Sequence, residues 1–168
     1  AILMPANGLG VATAYDDCTS QVPARLLRNL LGLGYRGSVL HYIGMSHYFP
    51  VRWEGGVCLL DPGGPAFAPP AEVWHRAFLA ACRDAGLSPI LSLSFEILAQ
   101  HCPPAWQQRD ADGNPARTGW DPPSALLSPA SGPAMAWLRG VAETLVRLMR
   151  EAGLPVRIQI GEPWWWID

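Results

Sequence analysis

Two carboxylates stand where apolar runs end: Glu96 closes "LSLSFE" and Glu162 follows "IQIG". Glu96 lies ten residues beyond Gly86 and Glu162 nine beyond Gly153, and each glycine follows an amphipathic stretch, so both carboxylates fall at comparable heights. Such a pair could divide acid and base roles, because burial or a neighbouring charge drives two carboxyl pKa values apart. A strand-end glutamate also serves as a simple ion-pair partner, and for Glu96 both readings stand. Near the carboxylates in sequence are Trp164, Trp165, Trp166, Trp106 and Trp120. Their flat apolar rings, each with one N–H donor, could stack on sugars. Three consecutive tryptophans cannot all face one ligand, so at least one belongs to packing. His47 and Tyr48, at the end of an earlier apolar run, complete the candidate binding residues, whereas His41 reads as a core histidine.

Other chemistries find less support. The cysteines Cys18, Cys58, Cys82 and Cys102 form no C-x-x-C pair and no Cys/His cluster, so no metal site and no cofactor are expected. Cys82 falls on an apolar helical stripe and reads as a buried thiol. "DADGN" at 110–114 reads as a tight turn, since the later bidentate carboxylate of a calcium loop is missing. The formal net charge is −2 with charges scattered, and all 12 basic residues are arginines, a pattern with no footprint for nucleic acid or an anionic membrane. No apolar run approaches the ~20 residues of a membrane span, and the N-terminus lacks signal-peptide character. With 168 residues, 49% of them hydrophobic, one sizeable core is expected, and the start without Met suggests a processed chain or an excised segment.

Three stretches that must position these residues share one pattern of helix, glycine break and short strand: "ARLLRNLLGLGYRGSVLHYIGMSHY", "WHRAFLAACRDAGLSPILSLSFE" and "AWLRGVAETLVRLMREAGLPVRIQIGE". In the second, Trp74, Phe78, Ala81, Cys82 and Ala85 recur at helical spacing. In the third, Trp137, Leu138, Val141, Leu145, Leu148 and Met149 do so, with Ser131 as the cap, Pro133 in the first turn and Gly153 past the end. Alternating helices and strands predict an α/β fold with parallel strands. The chain is either a single α/β domain over 1–168, as a small open parallel sheet, or a segment of a larger (β/α)8 barrel. A complete barrel takes ~250 residues, so this would be a partial TIM barrel whose edges need the remainder of a longer chain or a neighbouring subunit. Residues 48–71 and 97–131 read as long loops at the strand ends where barrel sites form.

Alternation along the strands aims the candidates. Ser92, Ser94 and Glu96 share the face opposite Leu91, Leu93 and Phe95, so Glu96 looks into a barrel lumen. Glu162 shares its face with Val156, Ile158 and Ile160. If that face meets helices, Glu162 reaches the lumen only through irregular backbone at Gly161 and Glu162.

"GEPWW" at a strand end resembles the Asn-Glu-Pro signature of clan A glycoside hydrolases, and "PPAWQQRDADGNP" at 103–115 is similar to the loop after the third strand in clan A β-galactosidases. The resemblance implies that the three strands are the second, third and fourth of a barrel. It makes Glu162 the general acid/base and a glycan or glycoside the partner. A retaining mechanism needs a nucleophilic carboxylate roughly 5 to 5.5 Å away, which the family carries on its seventh strand, outside these residues. This segment alone is therefore expected to be inactive, and Gly161 departs from the family's asparagine. "IGEPWWW" also resembles barrel domains of bacteriophage tail proteins, which implies a structural or carbohydrate-adhesion module; the location stays open, with virion-associated and extracellular among the choices.

Overall fold

The computed structural model describes residues 5–13, 18–44 and 46–161. In chain order the elements are β1 (Val11–Ala12), α1 (Pro23–Gly32), β2 (Ser38–Ile43), β3 (Val51–Glu54), β4 (Val57–Leu60), α2 (Pro69–Asp84), β5 (Ser88–Ser94), β6 (Glu96–Leu98), β7 (Ser124–Leu126), α3 (Gly132–Glu151) and β8 (Ile158–Gly161). The main sheet is parallel, with its strands in the order β1-β2-β5-β8, and it is not closed. This is the expected partial barrel. The expected second to fourth strands are β2, β5 and β8, and the two-residue β1, too short to show periodicity, pairs through Val11 with Val39 and Ala12 with Leu40.

The repeat visible in the sequence has a common backbone cause. Each helix ends on a left-handed glycine, Gly34, Gly86 or Gly153, with φ of 99°, 68° and 72°. The following N–H reaches back into the last turn, from Tyr35 to Leu30 O (3.2 Å), Leu87 to Cys82 O (2.9 Å) and Leu154 to Met149 O (3.0 Å). A side chain at those φ values is strained, which is why the break falls on glycine in all three repeats. Helix starts rely on the fixed φ of proline: α1 begins at Pro23 behind Val22, which makes no side-chain cap, while Ala134 N–H donates to Ser131 Oγ (3.5 Å) beside Pro133 in α3.

The chain divides into two compact units. The first comprises Ala1–Ile43, Pro69–Ser92 and Leu145–Gln159. Its core holds Leu27 of α1, Val39 and Ile43 of β2, Phe78, Leu79 and Cys82 of α2, and Leu145, Leu148 and Met149 of α3. The buried stripe of α2 is rotated from the one expected, since Ala81 and Ala85 are only half-buried and His75 and Leu79 fill the interior instead. Burial raises the Cys82 thiol pKa to about 12, as expected for a packed thiol. On the surface, Glu72, Arg76, Arg147 and Glu151 form a ring of ion pairs between α2 and the end of α3. Arg157, just before β8, donates to Ser38 Oγ (3.1 Å) and Ser88 Oγ (2.5 Å), joining three successive repeats. Along the same segment Val156 and Ile160 are exposed and Ile158 is half-buried.

The second unit comprises Gly44–Ala68, Leu93–Thr144 and Ile160–Asp168. The two segments read as long loops contain strands of their own. β3 and β4 form an antiparallel hairpin closed by Gly55 and Gly56 at φ 57° and 85°, and β6 pairs antiparallel with β7, placing Glu96 opposite Leu126. The β6/β7 pairing joins residues far apart in sequence, so no local pattern announces it. The hairpin does carry a signal, a Gly-Gly turn between two short runs.

Candidate functional site

At the end of β2, Gly44 approaches Ser94 so closely that a Cβ on Gly44 would lie 2.8 Å from Ser94 Cβ. Only glycine permits that approach. Two residues on, Glu96 is not the last residue of a sheet strand but the first of β6, and it is 0% exposed. Its backbone N–H donates to Ser94 Oγ (3.1 Å), and Leu127 N–H donates to Phe95 O (3.0 Å), so the backbone at this point is held.

Tyr48 and Trp106, expected as binding surfaces, are buried. Tyr48 sits in a 3₁₀ turn, Ser46–Tyr48, and accepts at its carbonyl from Ala68 N–H (2.9 Å). His47 lies in the same turn, just beyond the end of β2, exposed, with its ring 4.4 Å from that of Tyr48. Trp106 packs 5.8 Å from Trp137, which meets Phe49 edge-on at 4.8 Å; Phe49 in turn lies 5.7 Å from Phe67. Trp120 is 47% exposed. Beside the aromatic cluster is a cleft of about 490 Å³ lined by Pro62, Gly64, Trp106, Trp137 and Gly140 among others. The Trp137 indole N–H has no hydrogen-bond partner among the described residues. Trp137 was legible only as a core residue; the small residues Ala136 and Gly140 beside it on α3 are the signal that a cleft adjoins it. Glu162, Trp164, Trp165 and Trp166 lie outside the described residues.

The loop containing "DADGN" closes as the expected turn. Asp110 accepts from Asp112 N–H (3.0 Å), Asn114 N–H (2.8 Å) and the Asn114 amide (3.0 Å), and the Asn114 side chain is the main reason its carboxyl pKa is lowered. Among the described residues no group of three or more His, Cys, Asp or Glu could hold a metal ion. No described helix is long and apolar enough to cross a membrane.

A separate polar cluster, not anticipated as a cluster, lies inside the first unit. Thr13 Oγ1 is 3.1 Å from His41 Nδ1, His41 Nε2 is 3.3 Å from His75 Nε2, and His75 Nδ1 is 2.6 Å from Ala71 O. The carbonyl can only accept, so His75 carries its proton on Nδ1 and accepts at Nε2. His41 must then donate from Nε2 and accept from the Thr13 hydroxyl at Nδ1. One direction of donation satisfies the whole chain, with both rings neutral. Burial is the main cause that lowers both histidines, His75 to about 4; the neighbouring His75 lowers His41 further, and the Ala71 bond partly offsets the effect on His75. Trp74 and Phe78 stack at 5.2 Å and cover the His41 ring.

The fold and the strand-end geometry together define a TIM-barrel-type α/β protein. The chain belongs to the non-contractile tail sheath protein TIM barrel family, whose model matches residues 5–168. Among solved structures it is similar to an uncharacterized protein of Listeria monocytogenes EGD-e, at 16% identity and a TM-score of 0.50, covering 93% of this chain and 16% of that one. It is also similar to the α-N-acetylgalactosaminidase NagBb of Bifidobacterium bifidum, at 14% identity and a TM-score of 0.43, covering 88% of this chain and 26% of that one. The maltogenic α-amylase AmyB of Thermotoga neapolitana matches at 14% identity and a TM-score of 0.42, covering 91% of this chain and 39% of that one. The chain thus spans well under half the length of each. Both resemblances expected from the sequence, to glycoside hydrolases and to tail-protein barrels, are present.

Proposed function

We propose that this chain is a structural barrel module of a non-contractile tail sheath protein, without glycosidase turnover of its own. The family match over residues 5–168 carries the reading. The geometry supports it, because Glu96 and Tyr48 are buried rather than exposed at the surface. The sequence adds glycine at 161, where the clan A pattern has the asparagine before its acid/base glutamate. The test is hydrolysis of aryl glycosides by the purified protein. No turnover is expected; turnover abolished by Glu162→Gln would overturn the reading and make Glu162 an acid/base residue.

A glycan-adhesion role is the second reading, favoured by the cleft beside Trp106 and Trp137 and by the exposed Trp120. A glycan-array screen separates the two. Binding that Trp165→Ala or Trp120→Ala removes without loss of fold would establish adhesion, and the structural reading expects no binding.

A further inference from the structure

The β3/β4 hairpin has one covered edge and one open edge. Asp61 N–H donates to Pro50 O (2.9 Å), which makes Pro50 and Asp61 a bonded pair across the hairpin. Bonded and non-bonded pairs alternate along an antiparallel ladder, so with the observed register Arg52/Leu59 and Glu54/Val57 are bonded pairs. Val51, Trp53, Cys58 and Leu60 therefore turn their backbone groups away from the ladder. On the β4 side this is confirmed independently, since His101 Nδ1–H donates to Cys58 O (2.6 Å). On the β3 side no strand pairs among the described residues, and all four residues of β3 are exposed, Trp53 by 75%. An open strand edge bearing a large apolar side chain is a template for pairing.

We infer that β3 pairs antiparallel with β3 of a second copy of this chain, about a two-fold axis at Trp53. The register follows from phase and charge. Only a register that sets the outward-turned residues opposite one another can form ladder bonds, and this restricts the axis to Val51, Arg52, Trp53 or Glu54 itself, not to a point between two residues. An axis at Arg52 sets two arginines face to face, and one at Glu54 sets two glutamates face to face, both unfavourable. An axis at Val51 sets Arg52 opposite the copy's Pro50 and Glu54 opposite the copy's Tyr48, so neither charge meets an opposite one. The axis at Trp53 places Arg52 opposite the copy's Glu54 and Glu54 opposite the copy's Arg52, on one face. On the other face the two Trp53 rings meet, while Trp53 exchanges reciprocal backbone hydrogen bonds with its counterpart. Arg52 and Glu54 already reach each other along the strand, with Nη2 to Oε2 at 2.8 Å, so their charged ends stand on the same face. This is an isologous interface in which one strand supplies both halves of the charge pattern.

The test uses charge reversal in the full-length protein, with sedimentation followed over a concentration series. Wild type is expected to self-associate, and Arg52→Glu (R52E) or Glu54→Arg (E54R), each of which sets like charges opposite, is expected to weaken this by about tenfold or more. Mixing R52E with E54R in equal amounts restores opposite pairs at both positions and is expected to recover association between unlike chains. Recovery also shows that both variants are folded. The inference is overturned if wild type stays monomeric, if R52E associates as wild type does, or if the mixture fails to recover. It is independent of the structural reading above, since glycosidase turnover would refute that reading and leave the association intact.

Discussion

The histidine cluster of the first unit and the hairpin of the second solve the same problem in opposite ways. Thr13, His41, His75 and the Ala71 carbonyl are removed from water and hydrogen-bond to one another in a single donor direction. Val51 and Trp53 leave their ladder groups turned outward, in a strand with every residue exposed. An orphaned polar group deep in a core costs about 1 to 3 kcal/mol, while one at the surface is satisfied by water. The interior must therefore be specified residue by residue, whereas an exposed edge is free to carry recognition. Stability is expected to reside in the first region and association in the second.

The comparison can be broken most directly at His75. His75→Ala removes a buried ring and strips the partner from both His41 and the Ala71 carbonyl, and a loss of about 4 kcal/mol is expected in denaturant unfolding. A loss below about 1 kcal/mol would mean that the cluster is not what holds β1, β2 and α2 together. The pH profile gives the next largest effect. The folded pKa of His75, about 4, lies below the ordinary 6.5, so the unfolded chain binds more protons between those values. Stability should be level above pH 6.5, fall as pH drops toward 4 and level off below, by about 3 kcal/mol in all. His41, lowered in the same direction, steepens the fall. Unfolding midpoints that do not change between pH 7 and 4.5 would contradict neutral buried rings.

Effects in the second unit are smaller. Gly44→Ala should cost about 2 kcal/mol through collision with Ser94 Cβ. Adding Ser94→Gly, which removes the opposing Cβ, should recover most of the loss in thermal melts; failure to recover would mean that Gly44 is needed for some other reason. Trp53→Ala should change unfolding free energy by less than about 0.5 kcal/mol, because the ring is largely in water. A large effect there would place Trp53 in the core and remove the contrast between the two regions.

The repeat of helix, glycine and strand was legible because each unit is local. The 3.6-residue stripe of α3 and the glycines at 34, 86 and 153 announce themselves within a few residues. Cys82 and the Asp110 turn were legible for the same reason. Trp106 and Tyr48 read as binding surfaces because an aromatic in a Pro/Gly-rich segment looks exposed, yet Phe49, Phe67 and Trp137 gather around that segment and bury it. Glu96 lay within reach of a parity argument, but its place at the head of an antiparallel ribbon depends on β7, far along the chain.

By itself the sequence determined an α/β fold of parallel strands and located three of them, β2, β5 and β8, because amphipathic period and glycine stops after a helix are properties of short segments. Only the tertiary structure decided that His41 and His75 meet, that Gly44 must admit Ser94, and that the segments between repeats fold into ribbons with one edge left open. The first two outcomes and the β6/β7 ribbon join residues far apart in sequence, and contact between distant segments is set by how the repeats pack.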